Sequence, residues 1–426
     1  MSDDELPALR ERLLQWLLAD ALPTWWEIGA DRAAGGFHEA IDLSGRPVLG
    51  ERRARVQARQ IFSYAVGGGL GWPGPWQRAV AHGLDYYLGR YRRADGLFWN
   101  ALSSDGRPVE KAPHLYEQAF ALLALATAAG AAGTNTTGTR TAGANSTGAN
   151  TIGTSTTGAS TTGNNTAGAS TAGATTDRDR ALEPVAVTIA ERLQAERRNP
   201  AGGYTGFVDD AVYQSDPHMH LLEAAMAWEA VSADPRWRAL ADEVAELGMR
   251  RFVVAGGGYL LEYFNADWSP AAGLAGRLVW PGHQFEWAGL LERWGRARGR
   301  DDARRMARRL YRTGADHGID PVRGVAVFEL LDDMTVHDPK ARLWSQTEWL
   351  KAALILANAE EDAGLRRRYR GDAAAAARAL LRFLDTPVPG LWRDKLAGDG
   401  TWVEEPAPGS SFYHIVDALR VLAGTP

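Results

Sequence analysis

The chain has 426 residues, a formal net charge of -5 from 47 Lys+Arg against 52 Asp+Glu, and no cysteine. The missing thiols exclude disulfide, zinc-thiolate, iron–sulfur and cysteine-nucleophile chemistry, and the mildly acidic balance offers no global field to nucleic acid or an anionic membrane. No apolar run is long enough to span a bilayer and the opening MSDDELPALRER lacks a basic-then-apolar leader, so the sequence reads as a soluble cytoplasmic protein.

Helical periodicity dominates the chain, in about twelve segments with apolar residues at i, i+3, i+4 and i+7. Segments near 4–22, 75–92, 177–197, 235–252, 300–317 and 363–385 carry charge on one face, as in RERLLQWLLADAL and ARRMARRLYRTG. Those near 53–69, 113–128, 217–232, 282–297, 345–360 and 411–423 are apolar nearly all round, as in HLYEQAFALLALATA, which predicts helices covered on both sides. Each half-exposed helix is joined to the next buried one by a longer connector with turn glycines, such as GGFHEAIDLSGRPV and GGYLLEYFNADWSP, which predicts β-hairpins on one face. The return joints, such as SADPR at 232–236, are short. A helical pair cannot bury its own face alone. Six such pairs therefore predict an all-α fold, an (α/α)6 barrel closing as one domain over 1–426.

Residues 134–176 stand apart, with Gly at 138, 143, 148, 153, 158, 163, 168 and 173 in a Thr/Ala/Asn/Ser background. A segment with almost no apolar side chain cannot offset its ordering entropy, so it reads as a low-complexity, flexible insertion. It falls in a return joint, on the face away from the connectors.

Of nine histidines, His114, His220, His283 and His414 sit in the first turn or so of buried helices, with His218 beside His220. All six buried-helix N-termini share one rim of such a barrel. The positive end of a helix disfavours imidazolium, so these histidines are expected neutral and available as bases. His283 and Glu286 lie three apart on one helical face. Arg59, in the otherwise apolar RVQARQIFSYA, needs an oxygen-rich partner such as a polyhydroxylated ligand or an anionic intermediate. His218 and His220 diverge on a helix, so only one should face the pocket and joint metal ligation is not expected. Ser345 and Glu348 have the spacing of a capping box, and Asp216-Pro217 that of a cap followed by a first-turn proline. There is no phosphate-cradling glycine loop, dinucleotide fingerprint or G-x-S-x-G. The 16 tryptophans suit either core packing or sugar faces.

In this order, RVQARQ, HLYEQAFALLALA, DPHMHLLEA, WPGHQFEWAGLL, RLWSQTEWLKA and SSFYHIVDAL resemble the N-acylglucosamine 2-epimerase family, which includes mannose isomerases and cellobiose 2-epimerases. The resemblance implies an (α/α)6 barrel and proton transfer beside the sugar's aldehyde without metal or cofactor. It implies His283 and His414 as the acid/base pair and Arg59 as the group that steadies an enediolate. It further implies His220, Glu286, Tyr116, Trp344 and Gln346 as sugar-binding residues. Asp216 stands where several isomerase-like members carry Asn.

The chemistry expected is removal of the carbon-2 proton by a histidine to give a cis-enediolate. Return of the proton to carbon 1 makes a ketose, and return to the opposite face of carbon 2 makes the epimer. The motif forms favour aldose–ketose isomerisation of a mannose-type sugar, such as mannose to fructose. The alternatives are 2-epimerisation of N-acylglucosamine, glucose/mannose or cellobiose, and, from other classes, an (α/α)6 glycoside hydrolase using two carboxylates or a non-catalytic sugar-binding protein. The expected partner is a small sugar, with no nucleic acid or membrane, and the chain is expected to be a monomer or homodimer.

Overall fold

A computed structural model describes residues 5–109, 112–133, 182–206 and 213–425. The repeat at 134–176 lies outside the described residues, between the fourth and fifth helices. Twelve long helices run in order among the described residues: α1 (Glu5–Gln15), α2 (Ala54–Gly69), α3 (Trp76–Tyr86), α4 (Leu115–Gly133), α5 (Leu182–Glu196), α6 (Asp216–Glu229), α7 (Pro235–Leu247), α8 (Pro281–Arg298), α9 (Asp301–His317), α10 (Leu343–Ala359), α11 (Ala363–Phe383) and α12 (Phe412–Ala423). The odd-numbered helices carry the single apolar stripe that their sequences predict. In α9, Ala303, Ala307, Leu310, Tyr311 and Gly314 are buried while the arginines between them face outward. In α10 every residue from Leu343 to Leu354 is buried.

The even-numbered helices pack side by side in the cycle α2, α4, α6, α8, α10, α12 and back to α2. Each of the first five is backed by the odd helix that follows it, and α1 closes the outer layer against α11 and α12. This is the (α/α)6 arrangement. The two ends of the described chain meet: the Arg10 guanidinium donates to the carbonyls of Ala423 and Thr425, both at 2.7 Å.

The connectors differ from simple hairpins. Hairpins form at Ala40–Ile41 with Pro47–Val48, at Ile319–Asp320 with Val325–Ala326 and at Glu329–Leu331 with Val336–Asp338. The other strand pairs join one connector to the next: Arg52–Arg53 to Ala101–Leu102, Tyr213–Gln214 to Tyr263–Phe264, Leu278–Val279 to Leu330–Leu331, and Ala341–Arg342 to Lys395–Leu396. Ala40–Ile41 pairs with Ala407–Pro408, linking the last connector to the first. Each connector thus satisfies its neighbour's backbone groups and ties the helix N-termini into one rim.

A repeated side-chain device completes that rim. The amide of Gln57 bonds both the N–H and the carbonyl of Phe37, and Gln118 does so with Phe98, Gln284 with Leu260 and Gln346 with Ala326. In α6 the same place is taken by His218, whose Nε2 accepts from the Tyr204 N–H at 3.0 Å. A glutamine amide donates and accepts like one more peptide, so it satisfies buried backbone that no strand reaches. The expectation that Gln346 binds sugar is therefore corrected: its amide is used up on Ala326 and Arg342. Gln346→Leu is expected to destabilise the fold, by about 1–3 kcal/mol for each backbone group left orphaned. Urea denaturation measures this, and a raised KM with unchanged stability would restore the binding role.

The tryptophan surplus also goes mainly to the core. Trp25, Trp228, Trp237, Trp287, Trp294 and Trp392 are fully buried, with Trp25 stacked on Trp392 at 4.8 Å and Trp228 on Trp237 at 5.1 Å.

Candidate active site

The rim opens on a cavity of about 300 Å³, to which all six inner helices contribute. Arg59 comes from α2, Tyr116 from α4, Asp216 and His220 from α6, His283 and Glu286 from α8, Trp344 from α10 and His414 from α12. Of the residues predicted for the site, only Gln346 stays outside. On five of the six inner helices the clamp residue pins the helix start, and the site side chains are spaced from it: Tyr116, Asp216 and Trp344 precede it by two, and Arg59, His220 and Glu286 lie two residues after it.

His283 and His414 flank Trp344, with ring centroids at 5.1 and 5.8 Å from the indole. Each histidine is held through Nδ1 by a buried carboxylate. His283 bonds Glu262 at 2.7 Å and His414 bonds Glu348 at 2.8 Å. Such a bond places a proton on Nδ1 and leaves Nε2 to meet a ligand. Glu262 is itself fixed by the N–H of Trp280 at 3.3 Å and the hydroxyl of Ser215 at 3.4 Å.

The two histidines are pushed in opposite directions. Burial lowers both, but at His283 the carboxylates of Glu262, Asp216 and Glu286 outweigh it and raise the imidazole to about 9. At His414 burial is reinforced by Arg59, Lys351, His220 and His283, and the pKa lies well below the usual value. His220 is also raised well above it: burial is overcome by Tyr116, Asp216, Glu223 and Glu286. The expectation of uniformly neutral histidines thus holds for His414 and fails for His283 and His220, because adjacent carboxylates outweigh a helix N-terminus.

Asp216 joins the two raised histidines, 3.3 Å from Nε2 of His220 and 3.8 Å from Nε2 of His283. Although half-buried, it is held low by His220, His283 and Arg59. It does not cap α6; the N-cap is Ser215, without a side-chain bond. Arg59 donates to the Ser410 carbonyl and the Tyr116 hydroxyl, both at 2.9 Å, and lies 4.1 Å over the Phe120 ring. Glu286 carries two buried oxygens without a hydrogen-bond partner and its pKa is raised, chiefly by burial.

Several participants were not anticipated. Glu348 is no cap, because α10 begins at Leu343 and Ser345 falls inside its first turn. Instead it links His414 to Lys351, whose Nζ lies at 2.6 Å. Glu223 receives a hydrogen bond from the Tyr413 hydroxyl and approaches Nδ1 of His220 at 3.5 Å. The donor atoms of His220, Glu223 and Glu286, and those of Glu286, Glu348 and His414, each lie within 4.8 Å of one another, close enough to hold a cation. At the second group the Lys351 ammonium already supplies positive charge.

The family model for N-acylglucosamine 2-epimerase (GlcNAc 2-epimerase) matches residues 35–153 and 165–418. The chain belongs to this family. It is 42% identical over 415 residues to the mannose-6-phosphate isomerase of Rhizobium meliloti (strain 1021), covering 96% of this chain and 95% of that one. Similar folds include a D-mannose isomerase, with a TM-score of 0.79, 17% identity and 99% of both chains covered. The cellobiose 2-epimerase from Bacillus thermoamylovorans B4167 has a TM-score of 0.78 and 13% identity, covering 98% of this chain and 99% of that one. Like other members of the family, the chain is a sugar isomerase or epimerase, and among the described residues no helix is long and apolar enough to cross a membrane.

The bond from Glu262 gives a test of how the site is tuned. Glu262→Gln keeps an acceptor for Nδ1 of His283 but removes the charge that raises it. The His283 pKa is then expected to fall, moving the alkaline limb of kcat/KM to lower pH. An alkaline limb that stays in place in the variant would assign it to another group.

Proposed function

We propose that the chain interconverts a mannose-type aldose and its ketose, with His414 as the base that takes the carbon-2 proton and His283 as the acid. The carrying observation is that two histidines in one cavity have their pKa values pushed apart, one neutral and one protonated at neutral pH. His414 moves the proton between carbon 2 and carbon 1, while protonated His283 serves the oxygens during ring opening and enolisation. Arg59, anchored by Tyr116 and Ser410, faces the enediolate charge. Trp344 offers a flat apolar face between the two histidines. His220, Asp216 and Glu286 supply the hydroxyl contacts.

The name of the 42%-identical relative supports isomerisation over epimerisation. We further propose that 1–426 is one catalytic domain carrying 134–176 as an insertion, supported by the closed cycle of helices and the junction of its two ends.

Incubation with mannose in deuterated water tests the reading. Label at carbon 1 of fructose is the expected result, whereas label at carbon 2 of an inverted aldose would establish epimerisation. Since the acid must be protonated and the base neutral, kcat/KM is expected to stay level through neutrality. It should fall as pH rises through about 9, where His283 loses its proton, and on the acid side only well below the ordinary histidine range. A profile that falls between pH 6 and 7 would reject this assignment.

A further inference from the structure

We infer that Lys351 is a specificity-determining residue: as the cation behind Glu348, it makes His414 rather than His283 return a proton to the enediolate, which yields the ketose and suppresses the epimer. This rests on the isomerase reading of the same cavity.

Both outcomes start alike. The carbon-2 proton passes to His414, and the electron pair of the broken C–H bond becomes the carbon–carbon double bond of the enediolate. If His414 returns the proton to carbon 1, carbon 2 becomes the carbonyl and the product is the ketose. If His283 instead gives its own proton to the opposite face of carbon 2, the aldehyde re-forms on the inverted aldose. Two imidazoliums thus compete for one enediolate, and the stronger acid delivers its proton faster.

The two histidines occupy matched positions. Each is the third residue of its helix, His283 in α8 and His414 in α12. Each is held through Nδ1 by a buried carboxylate, Glu262 at 2.7 Å and Glu348 at 2.8 Å. Behind the carboxylates the match ends. Glu262 is met by neutral donors, the Ser215 hydroxyl and the Trp280 N–H, and among the described residues no lysine or arginine pairs with it. Its charge is therefore spent on His283, and Asp216 adds a second carboxylate 3.8 Å from Nε2. Glu348 is met instead by the buried Lys351 ammonium at 2.6 Å, which Asp417 secures from the other side at 3.1 Å. An ammonium so close offsets the charge that Glu348 would otherwise lend to an imidazolium. The other charged groups act in the same sense: Arg59, His220 and His283 oppose a proton on His414, and Glu286 favours one on His283. Protonated His414 is thus the stronger acid. Orienting the His414 ring does not require Lys351, because Glu262 orients His283 with no cation behind it.

Turnover of mannose in deuterated water, with the label in each product read by NMR, tests the assignment in the wild type, Lys351→Met, Lys351→Met/Glu348→Gln and Glu262→Gln. In Lys351→Met the ratio of glucose labelled at carbon 2 to fructose labelled at carbon 1 is expected to rise by about tenfold or more. The doubly substituted enzyme lacks both charges and should keep a ratio near that of the wild type. A rise there equal to that in Lys351→Met would trace the effect to lost packing and overturn the assignment. Glu262→Gln lets His283 release its proton more readily and should also raise the ratio, so it decides the matter if Lys351→Met does not fold. Fructose from the wild type with an unchanged ratio in folded Lys351→Met, or in Glu262→Gln where only that variant folds, removes the role of Lys351 and leaves the isomerase reading intact. A wild-type product that is chiefly the inverted aldose rejects the isomerase reading, and the assignment with it.

Discussion

His414→Asn is expected to lower isomerisation by about 10²–10⁴-fold, the usual worth of a positioned general base, and to abolish exchange of the carbon-2 proton with solvent. The side chain is buried beside Trp344, with Glu348 fixing Nδ1, and its depressed pKa keeps Nε2 unprotonated at neutral pH. Asparagine retains a donor for Glu348 but has no atom that can accept the carbon-2 proton. His283→Asn should slow turnover comparably yet retain slow exchange, because the base is still present and only the acid is lost. Proton exchange followed by NMR in both variants, with folding checked by circular dichroism, separates the roles. Exchange that survives in the His414 variant and vanishes in the His283 variant would invert the assignment. A doubly substituted enzyme that still cleaved glycosides would instead favour the two-carboxylate hydrolase.

The ring was legible in the sequence because a helix buried on both sides and one buried on a single side leave different periodicities, and the two alternate along the chain. The pocket was legible where a charged or polar side chain interrupts an apolar helix, as at Arg59, His283 and His414. Gln346 was placed at the sugar only by the family resemblance, and its amide is instead spent on Ala326, because a clamp and a contact to sugar demand the same residue type near a helix start. The recurrence of glutamine at 57, 118, 284 and 346 was the available signal: one substrate does not need the same amide from four helices. Glu262 could not be found this way, because it lies in a connector where acidic residues are ordinary, and only the fold brings it 2.7 Å from His283. Connector-to-connector strand pairing is likewise a long-range outcome, invisible to local turn signals.

Lys351 was legible by the rule that singled out Arg59. It is one of only four lysines in an arginine-rich chain and interrupts the apolar run WLKAALILA. It is 3% exposed, with Nζ 2.6 Å from Glu348 and 3.1 Å from Asp417, and Glu286 and Glu223 also raise its pKa against the effect of burial. Lys351→Met fits the volume but leaves Glu348 and Asp417 buried without that cation, so a loss of about 3–5 kcal/mol in unfolding free energy is expected. Arg420, at 2.6 Å from Asp417, retains part of the compensation and limits the damage on that side. The Lys351 charge is also among the causes that hold His414 down. Its removal therefore lets the His414 pKa rise, and the acid limb of kcat/KM should move to higher pH. Urea denaturation reads the first effect and the pH profile of the folded variant the second. A variant as stable as the wild type, with an unmoved acid limb, would show that the buried charges beneath His414 neither support the fold nor tune the base. A purely structural lysine would change stability and leave the pH profile in place, so the two measurements together decide whether this cluster beneath the pocket belongs to the chemistry.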